Sequence, residues 1–166
     1  EFSMNVMLEA LINTDRRISN NQSITPGFLM AALLWPSLIK KCSNNKEINI
    51  RKFFRSMDEV LRDQHQLTAI PRKFQTYIKD IWVLQLKLES RIGQFPHKLV
   101  KHPRFRAAYD FLLIREAAAN EDSSIGDWWT KFQNQNDDER EAVITKLSNE
   151  RENESDKKFG FSSELI

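Results

Sequence analysis

Apolar residues in this chain recur at three- and four-residue spacing, and no segment sustains the two-residue alternation of a half-buried strand. The pattern predicts an all-α fold: a compact domain of about 6–8 helices followed by a flexible polar tail. Met4, Met7, Leu8, Leu11 and Ile12 predict a short amphipathic helix over 4–13, after which Asp15-Arg16-Arg17-Ile18 leads into the polar loop SNNQS. Thr25 and Pro26 then open a helix over 27–41, Thr25 as N-cap and Pro26 in the first turn, where its missing N–H costs nothing. Pro36 is expected to kink or interrupt that helix after Trp35. KCSNNKEIN reads as a loop, with Asn49 capping a third helix whose inner face is Ile50, Phe53, Phe54, Met57, Val60 and Leu61.

Residues 69–119 organise the rest. From Pro71 to Gly93, Phe74, Tyr77, Ile78, Ile81, Leu84, Leu88 and Ile92 gather on one side of a helical wheel. Arg72, Lys73, Lys79, Lys87 and Arg91 gather on the other, within an arc of roughly 120°. One face is core and the other a basic ridge, with Gly93 placed to stop the helix. Pro96 and Pro103 bracket a short basic connector, QFPHKLVKHP. Pro103 opens a further helix to about Ala119, apolar almost all round and therefore buried between neighbours. NEDSS is a loop, and Ser124 with Asp127 makes a start resembling a capping box for a short helix ending near Phe132. Its Ile125, Trp128, Trp129 and Phe132 form a core plug. Within the tail, Val143, Ile144 and Leu147 give one weakly amphipathic helix, and disorder is expected beyond Glu150.

Charge sharpens this picture. The central stretch holds ten Lys/Arg against four acids, a local net charge of +6 in a chain whose total is +2. From Gln133 onward nine acids face five bases, a net −4. At 166 residues the chain suits one domain with a real core. Its longest apolar run, FLMAALLW, is far short of the roughly 20 residues that cross a bilayer, and the start lacks a secretion signal. A lone cysteine, Cys42, excludes an internal disulfide and points to a reducing, cytoplasmic setting. Glu1-Phe2-Ser3-Met4 has the look of a cloning remnant, so residues 1–4 are set apart from 5–133, the helical body, and 134–166, the acidic tail.

No catalytic constellation is visible. The four glycines are scattered, so there is no phosphate loop, and no carboxylate pair suits a two-metal site. His97 and His102 lie five apart across a prolyl turn without a third ligand, which favours exposed or phosphate-contacting histidines over zinc. Catalytic and metal residues are therefore expected to be none.

Three blocks carry a resemblance: IPRKFQTYIKDIWVLQLKLESR, LVKHPRFRAAYDFLLIREAA and WWTKFQ, preceded by NTDRRISNN, TPGFLMAALLWP and MDEVLRD. In order and spacing, from about Leu8 to Gln133, they resemble the C-terminal helical region of bacterial poly(A) polymerases. These are class II nucleotidyltransferases, alongside CCA-adding enzymes. The resemblance implies an upstream head using ATP and Mg²⁺, absent here, and a non-catalytic body that guides the RNA 3′ end for adenylate addition. The family's C-terminus is arginine-rich, whereas this tail has only Arg140 and Arg151. RNA contacts are thus expected from the core.

On that basis the ridge (Arg72, Lys73, Lys79, Lys87, Arg91) and the connector (Lys98, Lys101, Arg104, Arg106) are the candidate RNA-binding residues, acting on phosphates without reading bases. The competing reading for each is a solvated face, and for Arg104 or Arg106 a pair with Asp110 at helical spacing, Arg106–Asp110 being i, i+4. Tyr77, Trp82 and Tyr109 lie on or beside the buried arc, so no exposed base-stacking aromatic can be named. Other functional readings are a scaffold docking RNA-decay proteins and the body of a CCA-adding enzyme.

Overall fold

The computed structural model describes residues 2–43, 50–91, 93–119 and 124–159, with side chains through Glu150. Eight helices and no strand occur among them: α1 (Phe2–Ser19), α2 (Pro26–Cys42), α3 (Ile50–Leu67), α4 (Arg72–Glu89), α5 (Phe95–Val100), α6 (Phe105–Ala119), α7 (Ser124–Asn134) and α8 (Asp137–Phe159). The all-α expectation holds.

Helix α1 runs beyond the expected stop at Asn13 to Ser19. Its end is set by Asn21, which adopts the left-handed region at φ 54°. The Asn21 N–H donates to the Ile18 carbonyl (3.0 Å) and the Gln22 N–H to the Arg17 carbonyl (2.8 Å), closing the last turn as a Schellman motif. Arg16 and Arg17 sit in that turn, where cations oppose the helix dipole. The expected polar loop thus begins only after them.

Helix α2 starts as predicted, with Thr25 extended and Pro26 in the first turn, although the Thr25 side chain makes no capping hydrogen bond. It continues through Pro36 to Cys42 without interruption. In α3 the expected inner face is narrower. Phe53, Met57, Val60 and Leu61 are buried, whereas Ile50 and Phe54 are 62% and 45% exposed. The reason is that α3 packs chiefly on one neighbour, α2, which covers only one stripe. Each fully buried side chain of that stripe contributes roughly 1.5–3 kcal/mol. The capping role given to Asn49 falls outside the described residues.

Helix α4 is seated by Pro71, whose carbonyl accepts from the Phe74 N–H (2.8 Å). It ends at Glu89, before Gly93. The indole N–H of Trp129 takes the Leu88 carbonyl (2.8 Å), supplying a partner to a last-turn group that would otherwise be orphaned. Gly93, at φ 57°, then makes a separate left-handed turn into α5. The connector is therefore itself partly helical, with Pro96 and Leu99 buried.

The core lies where α2, α4 and α6 meet. Trp82, Phe111, Ile78, Ile81 and Leu88 are fully buried there, with Trp35 edge-on to Phe111 at 5.5 Å. Helix α6 is buried nearly all round, as its sequence required. Trp129 and Phe132 of α7 close one end, with Trp128 stacked on Phe132 at 4.6 Å. α7 includes Ser124, so its cap position falls on residues outside the described ones.

Helix α8 is longer than expected, continuing past Glu150 to Phe159. A reciprocal capping box starts it: the Glu139 N–H donates to Asn136 Oδ1 (2.9 Å) and the Asn136 N–H to Glu139 Oε2 (3.0 Å). Arg140 ties it back to α7 by donating to the Phe132 and Gln133 carbonyls (2.9 and 3.0 Å), and Ile144 is buried.

Candidate nucleic-acid interface

The nine cations do not form one continuous ridge. Lys79, half-buried on α4, gives its charge to Asp58 of α3 at 2.5 Å. Arg106 pairs with Asp110 one turn on, Nε to Oδ1 at 3.1 Å, the alternative the i, i+4 spacing offered. Arg91 lies beyond the end of α4 and rests against Trp128, 5.7 Å from the ring centre. Arg104 covers Tyr77 at 4.5 Å.

The other five are exposed: Arg72 and Lys73 at the start of α4, Lys87 in its last turn, Lys98 on α5 and Lys101 just after it. None makes an ion pair with any described residue. Lys73 and Lys87 are separated by about 21 Å along the helix. Lys87 borders a groove of about 330 Å³ between α3 and α4, which Lys79, His102 and the exposed Phe54 also line. Phe54 is therefore an exposed aromatic beside cations, the element that periodicity placed in the core.

A second basic cluster was not predicted. Arg16 and Arg17 at the end of α1 meet Arg104 and Arg106 at the start of α6. Arg17 donates from Nε and Nη2 to the Ser23 carbonyl (both 3.2 Å) and places Nη1 3.7 Å from Asp110 Oδ2. The Asp110 side chain is 14% exposed. Burial pushes its carboxyl above the usual aspartate range, while Arg106, Arg17 and Arg16 pull it back. Arg17, Arg104, Arg106 and Asp110 line a cleft of about 180 Å³ with aromatic walls from Phe28 and Tyr77. Gly27 seats the Tyr77 ring: a Cβ there would lie 2.9 Å from Tyr77 Cδ1. An Arg-Arg pair in a helix's last turn reads as dipole compensation, so only tertiary contact reveals the cluster.

Arg115 has a different role from its neighbours. Its guanidinium stacks 4.5 Å over Trp35 and donates to Gln85 Oε1 at 3.0 Å inside the core. Desolvation lowers its affinity for the proton. Gln85, fully buried, donates in turn to the Ala108 and Ile81 carbonyls (3.0 and 3.2 Å). Among the described residues no group of three or more His, Cys, Asp or Glu is placed to hold a metal ion, and no helix is long and apolar enough to cross a membrane.

An all-helical body with an exposed basic surface is what the described residues present, and comparison with known proteins makes its family specific. Residues 45–159 match the family described as "Polymerase A arginine-rich C-terminus", and the chain belongs to it. It is 34% identical over 151 residues to Poly(A) polymerase I of Escherichia coli O6:H1 and 32% identical over 151 residues to that of Salmonella typhi; each alignment covers 87% of this chain. The Haemophilus influenzae Poly(A) polymerase I is 34% identical over 148 residues, 86% of the chain. The chain spans about a third of the length of these relatives. The family match runs through α8, beyond the 133/134 boundary drawn from composition.

Proposed function

We propose that this chain is the RNA-holding helical part of a poly(A) polymerase. It grips the phosphates of a single strand while a portion of the enzyme outside these residues adds adenylates to the 3′ end. The observation that carries this is the set of exposed cations on α4 and around α5 without an acidic partner among the described residues, Arg72, Lys73, Lys87, Lys98 and Lys101, in a chain of this family. Cations already neutralised within the fold have less to offer a phosphate, so Lys79 and Arg106 contribute little. ATP and Mg²⁺ belong to the other portion of the enzyme.

Phosphate contacts need no base reading, which suits a polymerase acting on many 3′ ends, and each releases counterions. Binding of the whole chain to a labelled single-stranded RNA across a salt series tests the reading. Affinity that falls steeply with salt, and that is lost when Lys87, Lys98 and Lys101 become Glu, supports it. Binding that ignores salt contradicts it. A second reading, a scaffold docking RNA-decay proteins, is favoured by the exposed Leu8, Leu11 and Ile12 on α1. It predicts partner binding that survives high salt.

A further inference from the structure

We propose that the cleft between α1, Tyr77 and α6 takes one unstacked RNA base, a base bearing an exocyclic amino group, which stacks on Tyr77 and donates to Asp110. This rests on the reading of the chain as an RNA-holding body and adds a base-reading site to it.

The cleft's size comes first. At about 180 Å³ it is smaller than the roughly 300–1,000 Å³ of pockets for drug-sized ligands, so it suits a single ring system and leaves sugar and phosphate outside. Its walls are next. Phe28 and Tyr77 line it, and single-stranded RNA is recognised by splaying bases onto aromatic or arginine planes and bonding their edges. Arg104 already occupies the Tyr77 face at 4.5 Å, the geometry of a flat cation on a ring. A base displaces the guanidinium from that face and leaves Arg104 beside the base's own phosphate.

Asp110 supplies the specificity. Arg106 holds Oδ1 at 3.1 Å, but the Arg17 contact to Oδ2 is 3.7 Å, outside hydrogen-bond range. A carboxylate offers about four lone-pair positions, so Oδ2 has capacity for an amino N–H. The cleft suits an anionic strand: Arg17, Arg104 and Arg106 line it with one carboxylate, a local excess of positive charge that draws phosphate. The arginines alone would serve any phosphate. The carboxylate among them has no use for a phosphate and does have one for a base amino group.

The test uses mononucleotides, which are too small to span the α4–α5 cations, titrated into the whole chain and followed by amide chemical shifts. Two isosteric pairs isolate the amino group: GMP against IMP, and AMP against purine riboside 5′-monophosphate. Inorganic phosphate and UMP are controls. The expected result is that at least one aminated member binds severalfold tighter than its partner and than UMP, with shifts at Thr14, Phe28 and Tyr77. Tyr77→Leu should weaken it at least about fivefold, the low end of one stacked base. Asp110→Ala should erase the difference within the pair. Equal binding within both pairs, displacement by inorganic phosphate alone, or no shift in the cleft overturns the proposal. The wild-type shifts decide even if a variant fails to fold. Loss of mononucleotide discrimination with salt-sensitive RNA binding intact sinks the pocket alone. The reverse result sinks the RNA-holding role of the α4–α5 cations.

Discussion

Lys79 places its ammonium 2.5 Å from the Asp58 carboxylate, joining α4 to α3 and removing from the basic face one of the cations that α4's periodicity assigned to it. Lys87, two turns further along, has no such partner among the described residues. The two lysines fall within the same basic arc of the helical wheel and differ in the fold. Lys79→Ala should leave RNA affinity nearly unchanged, whereas Lys87→Ala should lower it and reduce the slope of log K against log salt by about 0.7. Parallel salt titrations of the two variants check this. Equal slopes would show that the Asp58 pair does not silence Lys79.

Trp82 is fully buried and donates its indole N–H to the Ala31 carbonyl at 2.9 Å. Pro36 lacks the N–H that would pair with the Ala32 carbonyl one turn back. Trp82 thus brings a donor from α4 to the weakened stretch of α2, beside the break in its ladder. Trp82→Phe keeps most of the apolar surface and loses this bond. It should cost about 1–3 kcal/mol in urea unfolding.

Gln85 and Arg115 form one buried unit with Trp35. Gln85→Leu leaves the guanidinium in the core without its acceptor and should destabilise by about 2–3 kcal/mol, the range for hydrogen bonds to charged groups. Adding Arg115→Met to that variant should recover part of the loss, because the charge goes with its partner. Losses that simply add would mean the two side chains act independently.

Asp110 sets an unusual pH dependence. Burial raises its carboxyl in the folded chain, so the folded state binds this proton more tightly than the unfolded one. Its stabilising contribution is present at low pH and is lost as pH rises through the raised value. Asp110→Asn is neutral throughout. The stability difference between Asp110→Asn and wild type should therefore move in favour of Asn as pH rises from below the ordinary aspartate range to above it. Chemical denaturation at several pH values measures it. Movement the other way would mean that Arg106 and Arg17 outweigh desolvation.

Much of the fold could be read from residue spacing, because helices that bury one stripe announce it. The buried face of α4, the all-round burial of α6 and the α7 plug followed from where Ile78, Ile81, Phe111 and Trp129 fall. The errors came from tertiary partners. At the end of α4 Ser90 turns extended and gives its N–H to the Lys87 carbonyl, and a tryptophan 41 residues away takes the Leu88 carbonyl, a partner no local pattern shows. Phe54 looked internal because α3's pattern does not reveal how much of it a single neighbour covers. The site was less legible than the fold, since a wheel shows which face a cation occupies but not whether an acid from another helix meets it. Arg16 and Arg17 joined the picture only through Asp110, more than ninety positions further along the chain.

The most direct test of the central claim compares wild type with the Lys87→Glu, Lys98→Glu, Lys101→Glu variant in binding a single-stranded RNA between low and physiological salt. Wild-type affinity should fall steeply with salt, and the triple variant should bind at least tenfold more weakly at low salt with a flatter slope, while its thermal unfolding is unchanged. Equal affinity and slope for the two proteins would mean that these lysines do not hold RNA.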